Sequence, residues 1–205
     1  MKNVNSIKNQ NEIRIILIGM GPVGKTAIIQ RYIDNSFKDS FIASIGIDTK
    51  IKKVIMEDGT ELKVKITDTA GAERFWAIAS NYIKTNDGVV ITYDITDKQS
   101  FNVAEDLINE IKYDSSLNEK ILFLVGNKSD LEEKKVILKI EGEELAKNYG
   151  VMFSECSAKT GENIECIFNK LIKKCYLLKT KGRKYLEDEE NAEKNLKIIN
   201  KYISF

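Results

Sequence analysis

Lys25 and Thr26 stand immediately after a glycine-rich turn, Gly19-Met20-Gly21-Pro22-Val23-Gly24, and that order specifies a chemistry before it specifies a fold. Glycines let the backbone curl until several N–H groups face one point, and a helix starting there adds the positive end of its dipole. Such a concavity binds phosphate oxygens. Its members are Gly21, Pro22, Val23, Gly24, Lys25, Thr26 and Ala27, with the Lys25 ammonium reaching the outer phosphates and the Thr26 hydroxyl placed for Mg²⁺. The same letters satisfy G-x-G-x-x-G, with Asp48 downstream, so a dinucleotide-binding turn competes. The Lys-Thr pair, which a dinucleotide turn does not require, favours the phosphate loop.

Three later clusters extend this chemistry. In Asp68-Thr69-Ala70-Gly71 the aspartate can hold the metal through water, and the glycine N–H can reach a terminal phosphate. In Asn127-Lys128-Ser129-Asp130 the Asp130 carboxylate can accept from N1–H and the exocyclic amine of guanine, a pattern that adenine does not offer. That disfavours an ATP-using enzyme. In Ser157-Ala158-Lys159 a backbone N–H can donate to guanine O6. A dinucleotide-binding domain needs none of these.

Each cluster follows an apolar run that reads as a strand. Ile13–Ile18, Gly88–Tyr93, Ile121–Gly126 and Val151–Ser154 predict buried strands, and Thr26–Ile33, Ser100–Lys112, Glu141–Asn148 and Asn163–Lys179 predict helices. Ile45–Met56 and Glu61–Thr67, joined through Asp58-Gly59, predict an antiparallel pair at one edge. Residues 68–82 lack periodicity and read as an irregular segment with a short helix. Repeated β–α alternation predicts an open, doubly wound α/β domain. Its six strands form a mostly parallel sheet with one antiparallel edge strand and helices on both faces, and ligands sit at the carboxyl ends of the strands. The expected division is a flexible lead over 1–11, one domain over 12–179 and an extension over 180–205. In that extension Leu196, Ile199 and Ile203 fall at helical spacing.

The composition narrows the alternatives. A chain of 205 residues that is 42% hydrophobic can build one well-packed domain and an appendage. A net charge of +1 gives no electrostatic footing for nucleic acid. With no histidine, every His-based triad, metal site or proton shuttle is excluded. Cys156, Cys166 and Cys175, odd in number, read as ordinary thiols in a reducing compartment. No signal peptide, apolar span or terminal lipidation motif is evident, so the expectation is a cytoplasmic chain that meets membranes only through partners.

Taken together, the motifs resemble those of the Ras superfamily of small GTPases, and within it the Rab family, over about residues 12–178. The Rab-like stretches are Ile45-Gly46-Ile47-Asp48, Asp68 to Phe75, Tyr93-Asp94-Ile95-Thr96-Asp97, Gly126 to Asp130 and Glu155 to Lys159. The resemblance implies a P-loop G domain that binds GTP or GDP with Mg²⁺. It also implies two switch segments, about 34–48 and 68–82, that meet effectors, an exchange factor and a GTPase-activating protein. Carried over by position, Phe37 packs on the guanine edge, and Ser44, where the family has Thr, gives its hydroxyl to Mg²⁺. Lys25 and Gly71 serve catalysis, and Thr26, Ser44 and Asp68 serve the metal. The nucleotide is held by residues 21–27, Phe37, Ser44, Gly71, Asn127, Lys128, Asp130, Ser157, Ala158 and Lys159.

Four departures bear on mechanism. Ala72 stands where the family has the glutamine that orients the attacking water, and a methyl makes no hydrogen bond. Pro22, the chain's only proline, removes an N–H that in the family faces the oxygen bridging the β- and γ-phosphates. A missing donor at such a leaving oxygen costs about 3 kcal/mol of transition-state stabilisation. Both changes predict slow hydrolysis, unless Glu73 positions the water. Thr49 and Thr67 replace two aromatics common on the Rab partner surface, Tyr82 keeps a third, and Trp76 adds one in the second switch. The terminal cysteine that anchors family members is missing as written. A non-cycling GTP-bound scaffold is therefore the alternative function.

Overall fold

The computed structural model describes residues 11–37, 47–69, 76–117 and 119–192. Six strands form one sheet in the order β2-β3-β1-β4-β5-β6: β1 Glu12–Ile18, β2 Ile47–Ile55, β3 Glu61–Thr69, β4 Gly88–Asp94, β5 Ile121–Asn127 and β6 Met152–Glu155. Every pairing is parallel except β2 with β3, which is antiparallel. Met56 accepts from the Gly59 N–H, and Gly59 adopts φ 81°, so the Asp-Gly hairpin forms where a residue tolerant of positive φ stands.

Alternation along the strands sorts side chains into two cores. Ile13, Ile15 and Leu17 of β1 face α1 (Lys25–Asp34) and α5 (Ile164–Lys181), where Tyr32 stacks on Phe168 at 4.0 Å between ring centroids. Ile16 and Ile18 face the other way. There they pack with side chains of α2 (Trp76–Lys84), α3 (Lys98–Tyr113) and α4 (Lys139–Tyr149). Burial on both faces explains why β4 and β5 are apolar almost throughout.

The ends of the helices follow local chemistry. The Asp97 carboxylate accepts from the Gln99 N–H and caps α3. At α4 the cap position holds Leu138, which has no acceptor; only the returning half of the motif forms, the Glu141 carboxylate taking the Leu138 N–H at 2.8 Å. Asn35 and Gly150 end α1 and α4 in the left-handed conformation.

One stretch differs from its sequence expectation. β3 runs through Asp68 and Thr69, which had been expected to open an irregular segment. Thr69 donates its hydroxyl to the Leu17 carbonyl at 2.7 Å, and Asp68 is paired in register with both Leu17 and Asp48. Polar letters thus continue a strand because their side chains find partners inside it. Beyond α5, Gly182 (φ 83°) turns the chain back, and residues 183–192 are helical (α6). The buried side chain there is Leu186, which joins the α1–α5 core, while Lys173 pairs with Glu189 at 3.5 Å and Lys174 with Glu190 at 2.6 Å. Residues 1–10, Leu196, Ile199 and Ile203 lie outside the described residues.

Candidate functional site

The carboxyl ends of β1, β3, β5 and β6 bring the four sequence clusters to one rim of the sheet. After β1 the glycine-rich turn forms a single 3₁₀ turn, Gly21–Val23, and Gly24 (φ 94°) leads into α1. Only glycine fits at two positions. A Cβ on Gly19 would lie 2.1 Å from the Thr92 carbonyl oxygen, and one on Gly24 would lie 2.4 Å from Asn127 Nδ2. Pro22 sits inside the turn at φ −85°, a value its ring accepts, so the loop keeps its shape while lacking that N–H.

Lys25 is 4% exposed and donates its ammonium to the Gly19 carbonyl, which returns the side chain over the loop that precedes it. Thr26 donates its hydroxyl to Asp68 Oδ2 at 2.5 Å, although the two residues lie on different elements 42 positions apart. Hard oxygen atoms meeting beside a buried ammonium are the donor set that a small divalent cation carrying phosphate prefers.

On the other side of the rim, Asn127 joins three loops. Its amide donates to the Val23 carbonyl at 2.8 Å, and its carbonyl oxygen accepts from the Ala158 N–H at 3.1 Å and from the Cys156 thiol at 3.7 Å. Lys128, held at φ 71°, forms an ion pair with Asp94 and donates to the Pro22 carbonyl at 3.2 Å. Asp130 accepts the Ser157 hydroxyl on Oδ1 at 2.6 Å, and its second oxygen bonds no described residue. The Ser157 hydroxyl in turn accepts from the Thr160 N–H at 3.0 Å. Burial pushes the Cys156 thiol far above its ordinary value, and the Glu162, Glu155 and Asp130 charges push it the same way. It is therefore a neutral packing group and no nucleophile.

Lys25, Thr26, Asp68, Asn127, Lys128, Asp130, Ser157 and Ala158 thus converge, with Lys159 beside them. Phe37 is half-buried against the α1–α5 core. Ser44, Gly71 and Ala72 lie outside the described residues. Arg31, which the sequence reading did not single out, ties α1 to the last loop. Its Nε donates to the Ala158 carbonyl at 2.9 Å and a terminal nitrogen to that of Lys159 at 2.6 Å. An arginine on the polar side of a helix carries no signal of such a role. Asp94 holds Lys128 and takes the Thr96 hydroxyl at 2.7 Å.

The sheet order and the loops at its carboxyl rim are those of a small-GTPase G domain. The chain belongs to the Ras family, whose sequence profile matches residues 14–177, and within that superfamily its likeness is to the Rab group. It is 38% identical over 188 residues to Ras-related protein Rab-13 of Mesocricetus auratus, covering 92% of this chain and 91% of that one. It is 43% identical over 155 residues to Ras-related protein RIC1 of Oryza sativa subsp. japonica and to Ras-related protein RABD2b of Arabidopsis thaliana. Each of these alignments covers 76% of either chain.

Proposed function

We propose that the protein is a Rab-like GTP/GDP switch with slow intrinsic hydrolysis, working in vesicle trafficking and meeting its partners through residues 34–48 and 68–82. The observation that carries this reading is the approach of the Thr26 hydroxyl to the Asp68 carboxylate beside buried Lys25, tied through Asn127 to the guanine-type loop. In the nucleotide complex Thr26, Ser44 and Asp68 hold Mg²⁺. The ion supplies charge neutralisation for the β- and γ-phosphate oxygens. Lys25 turns from the Gly19 carbonyl to the outer phosphates, the backbone N–H groups of residues 21 and 23–27 surround them, and Asp130 selects guanine with its second oxygen. Trafficking is supported by the Rab-type relatives.

The slow rate follows from groups that bind equally well in ground and transition states, set against groups that act only in the latter. The remaining loop N–H groups belong to the first kind, and Lys25, which serves binding and catalysis alike, is retained. The missing Pro22 N–H and the missing glutamine at Ala72 belong to the second. Identification of the nucleotide released on denaturing the purified protein is the first test: GTP is expected, and GDP alone would mean that another group such as Glu73 aims the water. Single-turnover hydrolysis is expected to rise in Ala72→Gln and further in Ala72→Gln/Pro22→Gly. Unchanged rates in both would overturn the assignment of slow hydrolysis to these positions. Pro22 and Ala72 together also favour a GTP-bound scaffold as a second reading, which full retention of GTP over many hours would support.

A further inference from the structure

Away from the nucleotide rim, the face of β1, β3 and β2 turned toward α2 carries an open groove of about 390 Å³. Parallel and antiparallel register line up Arg14 with Lys65, Glu12 with Lys63, Thr49 with Thr67, and Ile51 with Lys65 on that face. Tyr82 and Asn86, from the end of α2 and just beyond it, form the opposite wall. Among the described residues, no carboxylate lines the groove.

The charges beside it do not balance. Arg14, Lys63 and Lys65 all turn to one carboxylate, Glu12, at 2.9, 3.9 and 2.9 Å. Arg14 spends only Nε on it, and no described residue accepts from the two terminal nitrogens of its guanidinium. These cations are also open to water, with the Arg14 side chain 42% and the Lys65 side chain 31% exposed. The hydroxyls of Thr49 and Thr67 lie 3.4 Å apart in the next cross-strand row of the same face. Among the described residues, three cations against one anion, with the exposed Thr49 hydroxyl and a forked donor facing outward, make a receptor for a second carboxylate.

We propose that this groove docks an acidic segment of a partner protein, one glutamate or aspartate entering between Arg14 and Lys65. The exposed Thr49 hydroxyl supplies a further hydrogen bond, and a neighbouring partner carboxylate lies along Lys63. Ile51, 54% exposed on the edge strand opposite Lys65, gives the partner an apolar contact beside the charged one. The inference deepens the switch reading above by naming the chemistry of the partner, and it concerns a surface separate from the nucleotide rim.

The test uses the full chain, isotope-labelled and loaded with a non-hydrolysable GTP analogue, titrated with a twelve-residue peptide alternating Glu and Ser. The controls are the same peptide with Gln for Glu and phosphatidylserine vesicles. Nucleotide affinity is measured on the same samples. Shifts are expected at Arg14 Nε and at the amides of Thr49, Lys65 and Thr67. Affinity is expected to fall about tenfold in Arg14→Gln/Lys65→Gln, two exposed cations contributing at the upper end of their usual range. Thr49→Phe, which occupies the groove without touching either charge, is expected to weaken the peptide as well. Shifts scattered over other lysine-bearing surfaces, equal binding of the Gln peptide, or response to vesicles alone would each overturn the proposal. A protein that binds the peptide at this groove and no guanine nucleotide would overturn the switch reading instead.

Discussion

The nucleotide rim and the open face of β1, β3 and β2 are built on the same strands, yet they tolerate change very differently. At the rim, polar side chains are buried and cross-linked: Asn127, 2% exposed, joins the phosphate loop to the last loop, and Ser157, fully buried, holds Asp130. Replacing any of them strands a partner away from water, which costs far more than the bond itself contributes. On the open face the Arg14, Lys63 and Ile51 side chains reach water, and Thr67, though buried, meets only the neighbouring Thr49 hydroxyl, so few partners constrain positions 49 and 67. The contrast explains how nucleotide chemistry can be retained while partner chemistry drifts.

That contrast can be broken at several points. Asn127→Ala should cost about 4 kcal/mol of stability, because it leaves the Val23 carbonyl and the Ala158 N–H without their partner, and guanine-nucleotide affinity should fall with it; denaturant titration beside nucleotide binding reads both. Asp130→Ala should cost about 1 kcal/mol of stability, because the buried Ser157 hydroxyl loses its acceptor, and weaken GDP by about 3 kcal/mol without weakening ATP, a selective loss that isothermal titration would detect. A uniform loss for both nucleotides would mean that Asp130 supports the loop and does not read the base.

At the start of the open face, burial raises the Glu12 carboxyl, but hydrogen bonds and charge from Lys65 and Arg14 outweigh it and hold the group below its usual value. A depressed carboxylate stabilises the fold above its unfolded pKa, and that contribution is lost as pH falls through the folded value. Glu12→Gln should therefore be less stable than wild type at neutral pH and indistinguishable from it at strongly acid pH. A difference that persists in acid would assign the effect to packing. The smallest effect should come from Thr49→Val, within about 0.5 kcal/mol in stability and neutral for nucleotide affinity. A loss of about 2 kcal/mol there would show the open face to be as structurally constrained as the rim.

Strands buried on both faces are legible because apolarity alone marks them, as in Ile121 to Val125, and the site clusters stand out by their residue types and by their place after strand-like runs. The continuation of β3 is not legible. Asp68 and Thr69 are polar letters, and their place in the strand depends on bonds to Thr26 and Leu17 that come from distant sequence. Arg31 was hidden for the same reason: its partners are carbonyl groups, which every residue possesses. In the extension, attention to apolar spacing picks out Leu196, Ile199 and Ile203. Leu186, isolated among charges, is the residue that packs into the core.

The turn at Gly182 also sets a leash. α5 ends beside the amino ends of the strands, where the Lys179 ammonium donates to the Glu12 carbonyl at 2.8 Å, and α6 runs back along it. Ten extended residues would carry the chain roughly 33 Å outward from that pole. Wound into a returning helix they carry it about 15 Å inward. At residue 192 the chain thus stands on the flank of the domain, alongside α5, and not at the pole below the sheet.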